Sequence, residues 1–172
     1  MNRDWFGDSY DIVKRFFVGA LRSLGYTVHV DPMPTGDWES TESAFLEFLG
    51  ARHIREAQSA DKSALFLDPD TGIAARQSRR HTSIPSIASH LERHAIVFVF
   101  DQSFSRSADS LPQLQAKLRE LHELGAQGFY YNSHARFLFS SLSAERLRAL
   151  HEALLKAGLP AHRLISLGTN SA

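Results

Sequence analysis

The chain contains no cysteine. That absence removes disulfides, thiolate nucleophiles and cysteine-bound zinc in one step, and it agrees with a reducing compartment. Neither sign of charge prevails: 19 Lys and Arg offset 19 Asp and Glu. There is therefore no overall field to draw in nucleic acid, and any such contact has to come from a local patch. No apolar run approaches the roughly 20 residues that a bilayer span requires. Met1-Asn2-Arg3-Asp4 leads into no signal-peptide segment. The expectation is a soluble, cytoplasmic protein without membrane contact. Linkers, low-complexity tracts and repeats are also missing, so the 172 residues read as one domain over 1–172, long enough to bury a core.

What is present alternates between two periods. Four segments, 21–25, 46–50, 121–125 and 154–158, carry helical apolar spacing closed by glycine, the residue that suits a left-handed C′ position. Helix starts agree. Asp8 or Ser9 caps a segment with Ile12, Val13, Phe16, Phe17, Ala20, Leu21 and Leu24 at helical spacing. Ser83 with Pro85 opens a shorter helix, Ser110 with Gln113 reads as a capping box, and Ser143 caps the last helix. Strands fill the gaps at 26–30, 64–67, 95–100, 129–131 with a continuation through 136–139, and 164–167. The run Ala95-Ile96-Val97-Phe98-Val99-Phe100 lacks polar alternation and predicts a central strand buried on both faces. The alternation predicts an α/β three-layer sandwich around a mostly parallel, Rossmann-like sheet of five or six strands. A turn at 132–135 would make an antiparallel hairpin edge.

Three of these strands run into aspartates: Asp31, Asp68 and Asp101. In a parallel sheet such ends share one edge, where open α/β folds place their ligand crevice. Asp70 joins Asp68 through a Pro69 turn closed by Thr71-Gly72. Hard oxygen donors in this array suit Mg²⁺ or Mn²⁺, with Asp68, Asp70, Asp31 and Asp101 as ligands. Aspartate after a strand also caps helices and makes turns, and that bland role competes for Asp31 and Asp101. Downstream lies the basic run Arg76-Gln77-Ser78-Arg79-Arg80-His81. Guanidinium forks match phosphate, so Arg76, Arg79 and Arg80 read as a phosphate clamp, or else as surface charge neutralising the acids. His81 reads as a general acid–base group or as surface. Asp11 and Lys14, spaced i, i+3, read as a surface ion pair, or with Tyr10 as groups facing a crevice. Tyr131 and Asn132 end another strand, where an aromatic and an amide would stack on and bond a base, or merely pack. The exposed aromatics Trp5, Phe6 and Trp38 suggest a dimer contact or local packing. The loop 31–39 is placed to lie over the sheet edge as a lid.

Two family resemblances follow. Phe66-Leu67-Asp68-Pro69 resembles the Asp-Pro-Pro-aromatic motif of Rossmann-like adenine-N6 methyltransferases, and the order of elements over 63–167 resembles the second half of that fold. The resemblance implies a target amine held at Asp68 and S-adenosylmethionine as cofactor. No Gly-x-Gly loop follows a first strand, and Asp70 stands at the motif's second proline, which argues against a retained S-adenosylmethionine site. Asp68-Pro69-Asp70 is also similar to the first motif of haloacid dehalogenase-like phosphatases. That likeness implies Asp68 as nucleophile, Asp70 as acid–base, and Ser103 and Lys117 as the later serine and lysine. That family's distal acidic pair has no counterpart here. Three functions therefore stand open. The first is an enzyme, a metal-dependent hydrolase for instance, acting on a phosphate-bearing substrate (a nucleotide or nucleic acid). The second is a methyltransferase-like protein with an altered or lost cofactor site. The third is a non-enzymatic binding or assembly module.

Overall fold

The computed structural model describes residues 6–35, 39–58, 60–104 and 109–168. The elements run in the order α1 (Ser9–Ser23), β1 (Thr27–Asp31), α2 (Glu39–Leu49), β2 (Arg52–His53), β3 (Ala60–Leu67), α3 (Ile84–His90), β4 (His94–Phe100), α4 (Leu111–Glu123), β5 (Gln127–Tyr131), β6 (Phe137–Ser141), α5 (Ala144–Lys156) and β7 (Leu164–Ser166). The glycines expected to end α1, α2, α4 and α5 all adopt positive φ, between 70° and 94°. Side-chain oxygens of Asp8, Ser83 and Ser143 cap α1, α3 and α5 as the sequence predicts. The capping box at Ser110 does not form. Ser110 is itself helical in backbone, and its hydroxyl accepts a hydrogen bond from Arg136, while the Asp109 carboxylate takes the Leu111 N–H.

One mixed sheet of seven strands, in the order β2-β1-β3-β4-β6-β5-β7, replaces the expected five or six. The first four strands in that order are parallel; β6 and β7 run against their neighbours. The missed strand is β2, whose two residues are too few to carry a periodicity. The hairpin at 132–136 exists, but it places β5 and β6 inside the sheet rather than at its edge. All seven residues of β4 are buried, as its unbroken apolar run requires.

Alternate strand residues feed two separate clusters. Val28, Val30, Phe66, Phe98 and Phe139 meet α1, α2 and α5; Leu65, Leu67, Val97, Val99 and Leu138 meet α3 and α4. On the first face Phe66, Phe98, Phe139 and Phe129 form a ladder across β3, β4, β6 and β5. Successive ring centroids lie 4.7, 5.7 and 5.0 Å apart, with planes within 23° of parallel. Cross-strand aromatic pairs of this kind reinforce the register.

The chain leaves β1 outward to β2 and returns on the other side of β1 to β3. Helices α2 and α3, which leave β1 and β3, therefore fall on opposite faces of the sheet. Between the carboxyl ends of β1 and β3 the main chain parts, and open α/β sheets hold their ligands at such a reversal.

Candidate functional site: a buried lysine between two aspartates

Helix α1 does not bury the apolar stripe that its sequence suggests. Ile12 is 55% exposed and Phe16 38%, whereas Asp11 and Lys14 are buried with Phe17, Val18 and Leu21. The surface version of the Asp11–Lys14 pair is thus overturned. Lys14 Nζ donates to Asp11 Oδ1 at 2.9 Å and to Asp68 Oδ2 at 2.9 Å, joining the first turns of α1 to the end of β3. Asp11 Oδ2 accepts the Gly7 N–H at 2.9 Å, and the Asp68 N–H donates to the Asp31 carbonyl at 3.0 Å. Lys14 Nζ also lies 4.9 Å from the centre of the Phe100 ring.

Burial pushes the Asp68 carboxyl above the usual carboxylate range, against the pull of Lys14. For Lys14 burial acts downward, but Asp68 and Asp11 outweigh it and hold the ammonium above its ordinary value. One cation faces two carboxylates, and burial raises the proton affinity of the Asp68 carboxyl.

The trio forms the floor of a cleft of about 790 Å³ at the parallel carboxyl edge. Asp8, the cap of α1, with Tyr10 in its first turn, Thr35 after β1, and Phe100 and Gln102 at the end of β4 complete much of the wall. Tyr10 and Phe100 stand with ring centroids 5.4 Å apart. At the rim, both Nε and Nη2 of Arg80 reach Asp70 Oδ2, at 3.0 and 2.9 Å. Among the described residues four carboxylates and two cations line the cleft, which makes that lining net acidic.

The loop 70–82 forms one side. It is held by Thr71 N–H to the Arg80 carbonyl and Thr82 N–H to the Gly72 carbonyl, at 3.1 Å each. Its acidic anchor is Asp101, which is fully buried. Asp101 Oδ1 accepts the Ile73 and Ser103 N–H groups and the Ser103 hydroxyl; Oδ2 accepts Lys117 Nζ at 2.7 Å and Tyr130 OH at 2.9 Å. Burial and this carboxylate push the Tyr130 hydroxyl well above its ordinary value. Gly72 (φ +90°) packs on the same turn: a Cβ there would lie 2.6 Å from the Gln102 nitrogen and 2.9 Å from that of Ser103.

The sequence-predicted residues therefore separate. Asp68, Asp70, Arg80 and Lys14 meet in one cleft. Asp101 binds the loop from beneath, together with Ser103 and Lys117, which are not brought to Asp68. The Asp31 carboxylate turns back to the Met33 N–H at 3.1 Å, an ordinary turn role. Among the described residues no three or more His, Asp or Glu side chains gather closely enough to share a metal ion. Arg76 and Arg79 are exposed in the loop and line neither this cleft nor its neighbour. His81 bonds Thr71 Oγ1 and faces that neighbouring cleft. Tyr131 packs edge-on against Phe17, and Asn132 holds Arg136 Nε at 3.1 Å; both brace the β5–β6 hairpin. Phe6 sits edge-on to Phe45 and Phe48, while Trp5, Trp38 and the middle of the expected lid lie outside the described residues. Sequence reasoning missed Thr35, Phe100 and Gln102 as site residues. The reading of Asp11 and Lys14 with Tyr10 as groups facing a crevice named three residues that line this cleft.

No family model, curated protein or solved structure matches this chain. Among the described residues no helix is long and apolar enough to cross a membrane.

Proposed function

We propose that the cleft over Asp11, Lys14 and Asp68 binds the base of a nucleotide and that Asp68 handles a proton at the base's amino group. The observation that carries this reading is the buried carboxylate–ammonium–carboxylate trio opening onto an aromatic-walled cleft. An acidic floor favours a nitrogen that donates hydrogen bonds, and Tyr10 and Phe100 offer rings for a planar base. The volume suits one nucleotide. The parallel set β2-β1-β3-β4 with its reversal beside the site is read as a Rossmann-like half-sheet, the setting in which such crevices recur.

Mg²⁺ or Mn²⁺ would have to displace Lys14 from Asp68 and Arg80 from Asp70, so the ammonium and guanidinium groups favour a reading without metal at these acids. A structural reading also has an observation in its favour. Among the described residues no buried side-chain nitrogen or oxygen lacks a partner, so the trio can serve simply to tie α1 to β3.

A thermal-shift series separates these readings. Cytidine or adenosine near 100-fold over its Kd should stabilise the protein by about 2.7 kcal/mol, or roughly 5–10 °C in Tm for a chain of this size. Uridine and inosine, which lack the amino group, should do less, and Asp68→Asn should remove the difference. Stabilisation by Mg²⁺ or Mn²⁺ that Asp68→Asn abolishes would replace this reading with the metal one. No response to any nucleoside, nucleotide or metal would leave the structural role.

A further inference from the structure

Loop 70–82 separates two clefts, and its residues serve them in turn. Asp70 and Arg80 line the cleft over Lys14; their chain neighbours Thr71 and His81 line a second one, also about 790 Å³, on the α4 side. Gln102 lines both. The two hollows are thus adjacent, and they are held at a set spacing, because Asp101 Oδ1 takes the Ile73 N–H at 3.0 Å and Gly72 leaves no room against the backbone beneath.

Their linings differ in charge. Among the described residues the first cleft is lined by four carboxylates, the second by none. Instead the second presents Lys117, His81, Ser103 and the amides of Gln102 and Gln113. Lys117 spends two N–H bonds on Asp101 Oδ2 and Ser103 Oγ, at 2.7 and 2.6 Å, which fixes the ammonium at the cleft wall and leaves a third donor. The ammonium is steadied further by the Phe104 ring, 4.3 Å from its centre. His81 uses Nδ1 on Thr71, leaving Nε2 for another partner.

We infer that the second cleft is an anion site that takes the phosphate end of the ligand whose base occupies the first, with Lys117, Gln113 and the imidazolium form of His81 as its donors. This inference rests on the nucleotide reading above for the identity of the whole ligand, though not for the anion itself. It moves the phosphate contact away from Arg76 and Arg79, which the sequence pattern favours, to Gln113 and Lys117 of α4 and to His81 at the end of the loop. The ligand would straddle the loop, with a donor-rich ring on the acidic side and a dianion on the basic side.

The test is calorimetric binding of cytidine 5′-monophosphate, cytidine and inorganic pyrophosphate to the full chain and to two variants. Lys117→Ala would strip the buried Asp101 of a counter-ion and endanger folding, so the variants are His81→Ala and Gln113→Glu, the latter at an exposed helix position. In the wild type the monophosphate should bind at least about tenfold more tightly than the nucleoside, as expected for a charge-assisted phosphate contact. Gln113→Glu should weaken the monophosphate by about fivefold or more through like-charge repulsion while leaving the nucleoside unchanged. His81→Ala should act in the same direction. Equal binding of nucleoside and monophosphate overturns the anion site and leaves the base reading intact. Pyrophosphate binding that Gln113→Glu weakens, with no nucleoside binding, upholds the anion site and overturns the base reading. Absence of binding by all three probes overturns both.

Discussion

At the scale of single residues, the two ends of the Lys14–Asp68 contact respond differently to removal. Lys14 is the only cation in the trio. Lys14→Met leaves the buried Asp11 and Asp68 facing one another without the ammonium between them, and should cost about 3–5 kcal/mol in urea unfolding at pH 7. Asp68 is the carboxyl whose proton affinity burial raises, so a neutral amide there removes a charge that burial already disfavours. Asp68→Asn should stay within about 1 kcal/mol of wild type, with Asp11 still paired to the ammonium. If the two variants lost stability equally, Lys14 would have no special place between the acids. Near-neutral stability of Asp68→Asn also makes it the clean variant for the ligand series, since lost binding could not then be traced to unfolding.

At the scale of elements, the loop 70–82 is the part whose exact shape matters. It carries no periodicity, yet both clefts are defined by it. Its hold on β4 is the Asp101 carboxylate together with the close approach at Gly72. Gly72→Ala meets two obstacles, a φ of +90° and the Gln102 and Ser103 nitrogens. The left-handed backbone alone costs about 1–2 kcal/mol, and a forced shift of backbone adds to it. A loss of at least about 2 kcal/mol in denaturant unfolding is expected, together with weaker binding in both clefts, because the partition moves. A Gly72→Ala protein as stable as wild type would show that the loop sits less tightly on β4 than described. Helix α1 shows the same dependence on place: its Asp11 and Lys14 are buried because that face of α1 meets the ends of β3 and β4, while Ile12 and Phe16 are exposed.

At the scale of the whole molecule, the opposite edge of the sheet sets the response to acid. His29, Ser63 and His94 meet there, with Ser63 Oγ 2.8 Å from His94 Nδ1 and 3.4 Å from His29 Nδ1, and His90 is adjacent at 6.5 Å between ring centres. Burial, then the neighbouring His29, His90 and Arg93, lower His94 to about 4. His29 and His90 are also lowered, chiefly by burial. Between the ordinary 6.5 and about 4, the unfolded chain takes up a proton at His94 that the native protein refuses, so stability falls as pH drops through that interval. Asp68 acts with the opposite sign, because its raised proton affinity favours the native state as pH falls toward 3.8. Unfolding midpoints at pH 7 and pH 5 should therefore differ in wild type and differ less in His94→Gln. An unchanged pH difference in the variant would remove His94 from this role.

The helix caps at Asp8, Ser83 and Ser143, the glycine stops and the doubly buried strand 95–100 were readable along the chain, because each depends on neighbours within a few residues or on a continuous apolar run. So was the concentration of acids at Asp68 and Asp70. What that order of letters left open was which partners those acids would find. Lys14 reaches Asp68 across 54 positions, and Lys117 and Tyr130 reach Asp101 across 16 and 29. Arg80 rather than Arg76 or Arg79 closes on Asp70 because the loop's own hydrogen bonds bring it back over the turn. Periodicity reports only that a residue faces a sheet or faces water. Whether a charge enters the interior depends on a counter-charge arriving from elsewhere, and that is decided when α1, β3 and the loop pack into one structure.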